Sequence, residues 1–378
     1  MKKHSPDTIR TLFPLLWIGI FLIGCGTSNE VVSPGTNTPP KTTPATKQST
    51  SSEPYTVVEV FYGTDRAPAD RRDALVFGAE RGDLVFGTCT VSIPQRHRVG
   101  NIERPSIWRL ELREDPSRHV TVQDVAVMAE TDFVHRVLAR ARSSRKEALV
   151  FVHGYNVSFA EAARRAGQLK YDLAFPGPVL FFSWPSRGTV TGYAHDEDNV
   201  EWSVPDMVSF LHLLTAQADI ERVYFVAHSM GSRGGVRALS ELMMVHGLEE
   251  RRKVKEVILA APDIDADVFV EQILPRLSAP DTRITIYASA QDNALSISRL
   301  FNGNERLGAR ALDLGEHVDF VDVSGAGDDM LGHAYFADSN HVIRDLYRLL
   351  IEGLGARERS LDAVQLSTQM MYYRLRVP

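Results

Sequence analysis

Ala227-His228-Ser229-Met230-Gly231 is the stretch of this 378-residue chain best fitted to do chemistry. A serine with a small residue two places to either side suits a sharp, strained turn from strand to helix. Such a turn lifts the Ser229 hydroxyl clear of the backbone, where it can act as a nucleophile. It also brings Met230 to a helix N-terminus, where the backbone amide can stabilise a developing oxyanion. Ala227 stands where G-x-S-x-G has its first glycine and satisfies the turn less generously. An ordinary strand–turn–helix joint with a chance serine would carry the same five residues, so the rest of the chain has to decide.

Three further groups could complete that chemistry. His153-Gly154-Tyr155-Asn156 follows an apolar run, Ala148–Val152. Gly154 lets the backbone approach a substrate, and the Tyr155 amide is the candidate second oxyanion donor. His153 reads as a brace for this loop rather than as a general base. Carboxylates stand at Asp263 and Asp265, after the run Val254–Ala260, and at Asp292, after Arg283–Ala288. All three could equally cap the helices that follow them. A glycine-rich stretch, Ser324–Gly332, leads to His333, which could take the Ser229 proton and return it to a leaving group while a carboxylate fixes its tautomer. His317 opens a strand and His341 lies in the last helix, so both have plainer roles. The acidic Ala261–Asp267 stretch has no histidine at ligand spacing, so neither a metal nor another cofactor is called for.

The elements that must position these groups follow from periodicity. Strands are expected at Ala148–Val152, Pro178–Ser183, Val223–Ala227, Val254–Ala260, Arg283–Ala288 and Val318–Val323. Helices are expected between them at Ser158–Leu173, Asn199–Ala218, Met230–Met244, Ala266–Leu274 and Asn293–Phe301, with a last one at Asn340–Ile351. The alternation specifies an α/β fold with a mostly parallel sheet and helices on both faces, whose sites lie at the carboxyl ends of the strands. Before it come strands at Tyr55–Tyr62, closed by Gly63-Thr64-Asp65-Arg66, at Asp83–Ile93 and at Ile107–Leu112, which make a β-rich N-terminal portion. Asp132–Arg142 is a helix. Trp184–Trp202 reads either as a rim over the pocket or as a surface connection. Residues 353–378 form a polar tail without a place in the pattern.

Composition bounds the rest. With 44% hydrophobic residues the chain can bury a core, and its net charge of −6, with signs interspersed, argues against nucleic acid as a partner. Residues 1–24 join a basic start to an apolar run, Leu12–Gly24, too short for a comfortable membrane span, which is the pattern of a secretory signal. Leu22-Ile23-Gly24-Cys25 resembles the lipobox of bacterial lipoproteins. That resemblance implies cleavage before Cys25, acylation of its thiol, and attachment to the cell envelope. Gly26 after the cysteine implies the outer membrane, facing the periplasm. Residues 25–54 are Thr, Ser, Pro, Asn and Lys with little that is apolar, so they make a disordered tether. Residues 55–352 form the catalytic domain, and Cys89 is a small core residue.

The sequence also resembles bacterial α/β-hydrolases of domain-of-unknown-function family 900, the esterase/lipase superfamily enzymes. The likeness runs from Phe61 to about Leu350. It rests on FYGTDR (61–66), VSIPQRH (91–97), FVHGYNVSF (151–159), FSWPSRG (182–188), VAHSMGSRG (226–234), LAAPDIDADVF (259–269), YASAQDNAL (287–295) and GHAYFADS (332–339). It implies the α/β-hydrolase fold and a serine triad in the chain order Ser229, Asp292, His333. Asp292 is preferred because in this fold the acid most often follows that strand, with Asp263 the alternative. The resemblance names no substrate. The short connection at Trp184–Trp202 points to a small acyl ester. The competing expectation is a non-catalytic envelope lipoprotein that uses the fold as a binding module.

Overall fold

Alternate residues of the central strands feed two separate apolar layers. In β4 (Glu147–Val152), Ala148, Val150 and Val152 join one layer, while Leu149 and Phe151 join the other. The same division holds in β6 (Arg222–His228), with Phe225 and Ala227 set against Val226, and in β7 (Val254–Ala260), with Leu259 set against Ile258. A strand covered on both sides has no polar face, which is why these segments are near-continuous apolar runs.

This computed structural model describes residues 53–69, 76–106, 111, 113–187, 192–245, 248–278, 281–289, 305–308, 314, 317–324, 339–365 and 371–376. Asp292, His333, Cys25, the tether up to Ser52 and the expected helix Asn293–Phe301 lie outside them. The described strands form one sheet in the order β10-β11-β9-β8-β7-β6-β4-β5-β1-β2-β3. The remaining strands are β1 (Tyr55–Ala69), β2 (Val76–Pro94), β3 (Thr121–Met128), β5 (Val179–Ser183), β8 (Arg283–Ala288), β9 (Val318–Asp322), β10 (Leu361–Gln365) and β11 (Met371–Leu375). From β1 through β5, β4, β6, β7, β8 and β9 to β11 every pairing is parallel. Only β2, β3 and β10 pair antiparallel with their neighbours. This is the α/β-hydrolase class with a β-rich N-terminal portion.

Helices α1 (Glu130–Arg142), α4 (Val204–Thr215) and α5 (Met230–Val245) cover one face of the sheet, through Phe133, Phe210 and Leu239. Helices α2 (Phe159–Asp172) and α9 (Asn340–Leu350) cover the other, through Ala166 and Leu346. Ser158 and Glu161 start α2 with a reciprocal capping box. The short helices α6 (Leu248–Lys253), α7 (Ala266–Val268) and α8 (Leu274–Leu277) complete the set, with a π-helical turn, Phe269–Ile273, between the last two.

Three expectations are revised, and one strand is added. The added strand lies at Thr121–Met128, where Val122 and Val125 pack on the core; the strand expected at Ile107–Leu112 falls outside the described residues apart from Glu111, which is not in a strand. The helix expected at Asn199–Ala218 is two helices, α3 (Tyr193–Trp202) and α4, which meet at Ser203 just before Pro205 in the first turn of α4. Gly63-Thr64-Asp65-Arg66 does not close β1, because the strand runs on to Ala69 through irregularities on either side of Arg66. The segment after Gly353 carries β10 and β11, which continue the sheet beyond β9.

Candidate active site

Ser229 stands between the end of β6 and the first residue of α5, with φ of 52°. A non-glycine residue in the left-handed region is strained and persists only where its surroundings hold it. Here the Ser229 amide donates to the Ala260 carbonyl at 2.9 Å, and the Ser229 carbonyl accepts from the Ser232 and Asp263 amides at 2.9 and 3.3 Å. The residue is 2% exposed. Met230, the first residue of α5, carries an amide that has no acceptor in the turn before it.

The loop after β4 presses directly on this turn. A Cβ on Gly154 would stand 2.8 Å from the Ser229 Cβ and 2.8 Å from His228 Nδ1. A Cβ on Gly231 would stand 2.0 Å from the His153 carbonyl oxygen. Both glycines therefore permit a backbone approach that no side chain would allow. Asn156, the next residue but one, also has positive φ, 60°, as does Ala261 after β7, at 45°. Three strained residues thus border the end of β6. Tyr155 lies between Gly154 and Asn156. Its ring meets the Tyr193 ring edge-on at 5.4 Å, and burial raises its phenol pKa.

His153 is a buried, neutral brace. Its Nδ1 lies 2.8 Å from the Gly154 carbonyl, so that nitrogen carries the proton, and its Nε2 accepts from Ser183 Oγ and Arg66 Nη2. Burial, reinforced by the nearby Arg66 charge, holds its pKa well below the ordinary imidazole value. The ring stacks on Trp184 at 5.1 Å, and the Trp184 indole donates to the His153 carbonyl at 2.8 Å.

Asp263 is 2% exposed and holds two groups that the sequence did not connect to it. The Tyr193 hydroxyl donates to Oδ2 at 2.6 Å, and Arg306 Nε lies 3.1 Å from Oδ1. Asp263 is not the helix cap expected of it. Asp265 accepts from the Val268 amide at 3.0 Å and caps α7 instead. Residues 305–308 reach this place by running back along Ile264–Ala266, where the Leu307 amide bonds to the Ile264 carbonyl and the Ala266 amide to the Glu305 carbonyl.

The Trp184–Trp202 segment carries α3, which packs on α5. Arg233 of α5 pairs with Glu197 and Glu201 of α3, and a Cβ on Gly234 would stand 2.8 Å from Val200. Asp196, fully buried, accepts from Ser186 Oγ at 2.5 Å and from the Arg187 amide at 2.9 Å.

Of the residues expected at the site, the described part of the chain brings together Ser229, Met230, Tyr155 and Asp263. Asp292 and His333 follow β8 and β9, which are adjacent in the sheet. Sequence reasoning missed Arg66, Tyr193 and Arg306. Arg66 reads as part of a turn, and Tyr193 and Arg306 lie far in sequence from the groups they meet, so no local signal named their partners. Among the described residues no group of three or more His, Cys, Asp or Glu could hold a metal ion.

The gene lin2722 product from Listeria innocua shares 14% identity over 56% of this chain and 96% of its own, with a TM-score of 0.34. Est1E from Butyrivibrio proteoclasticus shares 12% over 55% and 86%, with a TM-score of 0.32. Thermogutta terrifontis esterase 2 shares 15% over 57% and 87%, with a TM-score of 0.32. Likeness at this level says nothing about a substrate. No curated protein matches the sequence. The profile of a family described as "Alpha/beta hydrolase of unknown function (DUF900)" matches residues 128–352, more than half of the chain, and the chain belongs to that family.

Proposed function

We propose that this protein is a serine hydrolase that cleaves small carboxylic esters through an acyl-enzyme. Ser229 is the nucleophile, His333 the general base and Asp292 the acid that orients it. The amides of Met230 and Tyr155 form the oxyanion hole. The observation that carries this reading is the strained Ser229 backbone at a helix N-terminus, with Gly154 pressed against it. A module that only binds ligands has no use for that strain, which speaks against the alternative of a non-catalytic envelope lipoprotein.

In the reaction, His333 takes the Ser229 Oγ proton as oxygen attacks the carbonyl carbon. The carbonyl oxygen becomes an oxyanion, and the two amides stabilise it. The tetrahedral intermediate collapses, and His333 gives the proton to the departing alcohol. Water, activated by the same imidazole, then releases the acid and restores Ser229. Asp263 is the weaker candidate for the acid because Arg306 and Tyr193 engage one of its oxygens each.

Ser229→Ala is expected to lower p-nitrophenyl butyrate hydrolysis by at least ~10³-fold while leaving the melting temperature unchanged. It should also abolish labelling by a fluorophosphonate. Full activity in this variant would refute the reading. The second part of the proposal is an envelope lipoprotein, anchored through acylated Cys25 and facing the periplasm from the outer membrane. More than one acyl chain is needed for stable attachment. Metabolic labelling with palmitate should vanish in Cys25→Ser; wild-type protein recovered in the soluble periplasm would sink the anchor.

A further inference from the structure

Arg66 is 2% exposed, yet every N–H of its guanidinium is used. Nε donates to Ser183 Oγ at 2.9 Å, and Nη1 donates to the Gly78 and Ser186 carbonyls at 2.9 and 3.0 Å. Nη2 donates to the Val157 carbonyl at 2.7 Å and stands 3.3 Å from His153 Nε2. One side chain thus ties together the β1–β2 hairpin, the loop after β4 and the loop after β5. A cation there also fixes the histidine. Nε2 faces the donors Arg66 and Ser183, so it must be the acceptor, and Nδ1 must carry the hydrogen. That hydrogen points to the Gly154 carbonyl at 2.8 Å.

The Gly154 carbonyl and the Tyr155 N–H belong to one peptide unit. The unit is planar and trans, so its C=O and N–H point in opposite directions. Fixing one fixes the other. We infer that Arg66 and His153 form a relay that sets the direction of the Tyr155 amide and so completes the oxyanion hole. The inference rests on the serine-hydrolase reading above and assigns Arg66 and His153 as positioning residues for it. Neither touches the substrate. Their effect belongs to the transition state, because a carbonyl oxygen needs the Tyr155 donor most when it becomes an oxyanion.

Three variants test the relay: Arg66→Lys, His153→Leu and His153→Asn. Lysine keeps the charge but cannot serve the acceptors of a planar fork. Leucine removes the donor to Gly154, while asparagine places an amide N–H close to where Nδ1–H stands. The measurements are kcat and KM with p-nitrophenyl butyrate, and inhibition by a trifluoromethyl ketone whose hemiketal oxygen occupies the oxyanion hole. Removing a single oxyanion donor costs ~10²–10³-fold. His153→Leu and Arg66→Lys should therefore lower kcat by about 10–100-fold, with KM within about threefold, and weaken the ketone by a matching factor. His153→Asn should recover at least half of the loss on a logarithmic scale. If Arg66→Lys does not fold, the two His153 variants decide. Parent-like kcat in the folded variants, a kcat loss without the matching loss of ketone affinity, or His153→Asn no better than His153→Leu would each overturn the relay. Fluorophosphonate labelling of the parent separates the two readings. A labelled parent with parent-like variants overturns the relay alone, whereas an unlabelled parent overturns the serine hydrolase with it.

Discussion

At the scale of single residues, the two carboxylates proposed for the triad acid are expected to do different work. The Asp263 carboxylate is buried between the Tyr193 hydroxyl and the Arg306 guanidinium, and Arg306 is itself only 4% exposed. Removing one charge of a buried pair leaves the other uncompensated, which costs about 3–5 kcal/mol. Asp263→Asn is therefore expected to lose stability on that order in urea unfolding, more than loss of a helix cap would cost. Asp292→Asn should lower kcat by orders of magnitude with little change in melting temperature, because an amide favours the wrong tautomer of the catalytic histidine. If instead Asp263→Asn loses kcat and Asp292→Asn loses only stability, the acid of the triad is Asp263. The pattern of residues could name both carboxylates but could not rank them by environment. Arg306 and Tyr193 are 43 and 70 positions away from Asp263 in the chain, and no local periodicity links them to it.

At the scale of elements, the central strands were legible and the edges were not. Strands β4 to β7 put apolar residues on both faces, so they show as largely apolar runs, and the end of each marks a place where a catalytic group can stand. The far end of β1 reads as a turn, because Gly63-Thr64-Asp65-Arg66 has turn composition and its strand pairing is irregular. That irregularity carries Arg66 under the loop after β4 and buries Asp65 on the side of Ser203. Neither oxygen of Asp65 has a hydrogen-bond partner among the described residues. Burial pushes its carboxyl up to about 7. The folded value exceeds the unfolded one, so the native state holds more protons between about pH 4 and pH 7, and stability falls as pH rises through that window. Asp65→Asn removes the cost of ionising a buried group. It should match the parent near pH 4 and exceed it at pH 8 by about 2–4 kcal/mol. Urea midpoints across this range are the measurement, and parallel curves for parent and variant would show that Asp65 ionises as freely in the fold as out of it.

At the scale of the whole molecule, the family match ends at residue 352, but the folded sheet does not. Residues beyond it read as a polar tail because β10 and β11 are short and lie at the sheet's end, where exposed positions dilute the apolar pattern. What binds them is partly polar and therefore invisible to hydropathy. Arg359 is fully buried, donates to Asp345 at 2.8 Å and to the Tyr287 hydroxyl at 3.0 Å, and lies 3.6 Å from Asp319. Tyr287 belongs to β8 and Asp345 to α9, so one arginine joins the sheet to the helix that closes its face. Strand β11 meanwhile pairs with β9, Tyr373 against Val321, and so covers what would otherwise be the open edge beside the strand that leads to His333. A chain ending at Glu352 would expose that edge and strand the buried Asp345 carboxylate, which is 2% exposed when residues 353–378 are present. The expected result is loss of soluble, cooperatively melting protein. Arg359→Met is the milder form of the same experiment. It keeps β10 and β11 but unpairs Asp345, and should cost about 3–5 kcal/mol in urea unfolding. A chain ending at Glu352 that melts with the parent would make the last strands an appendage, and the fold would then close at β9.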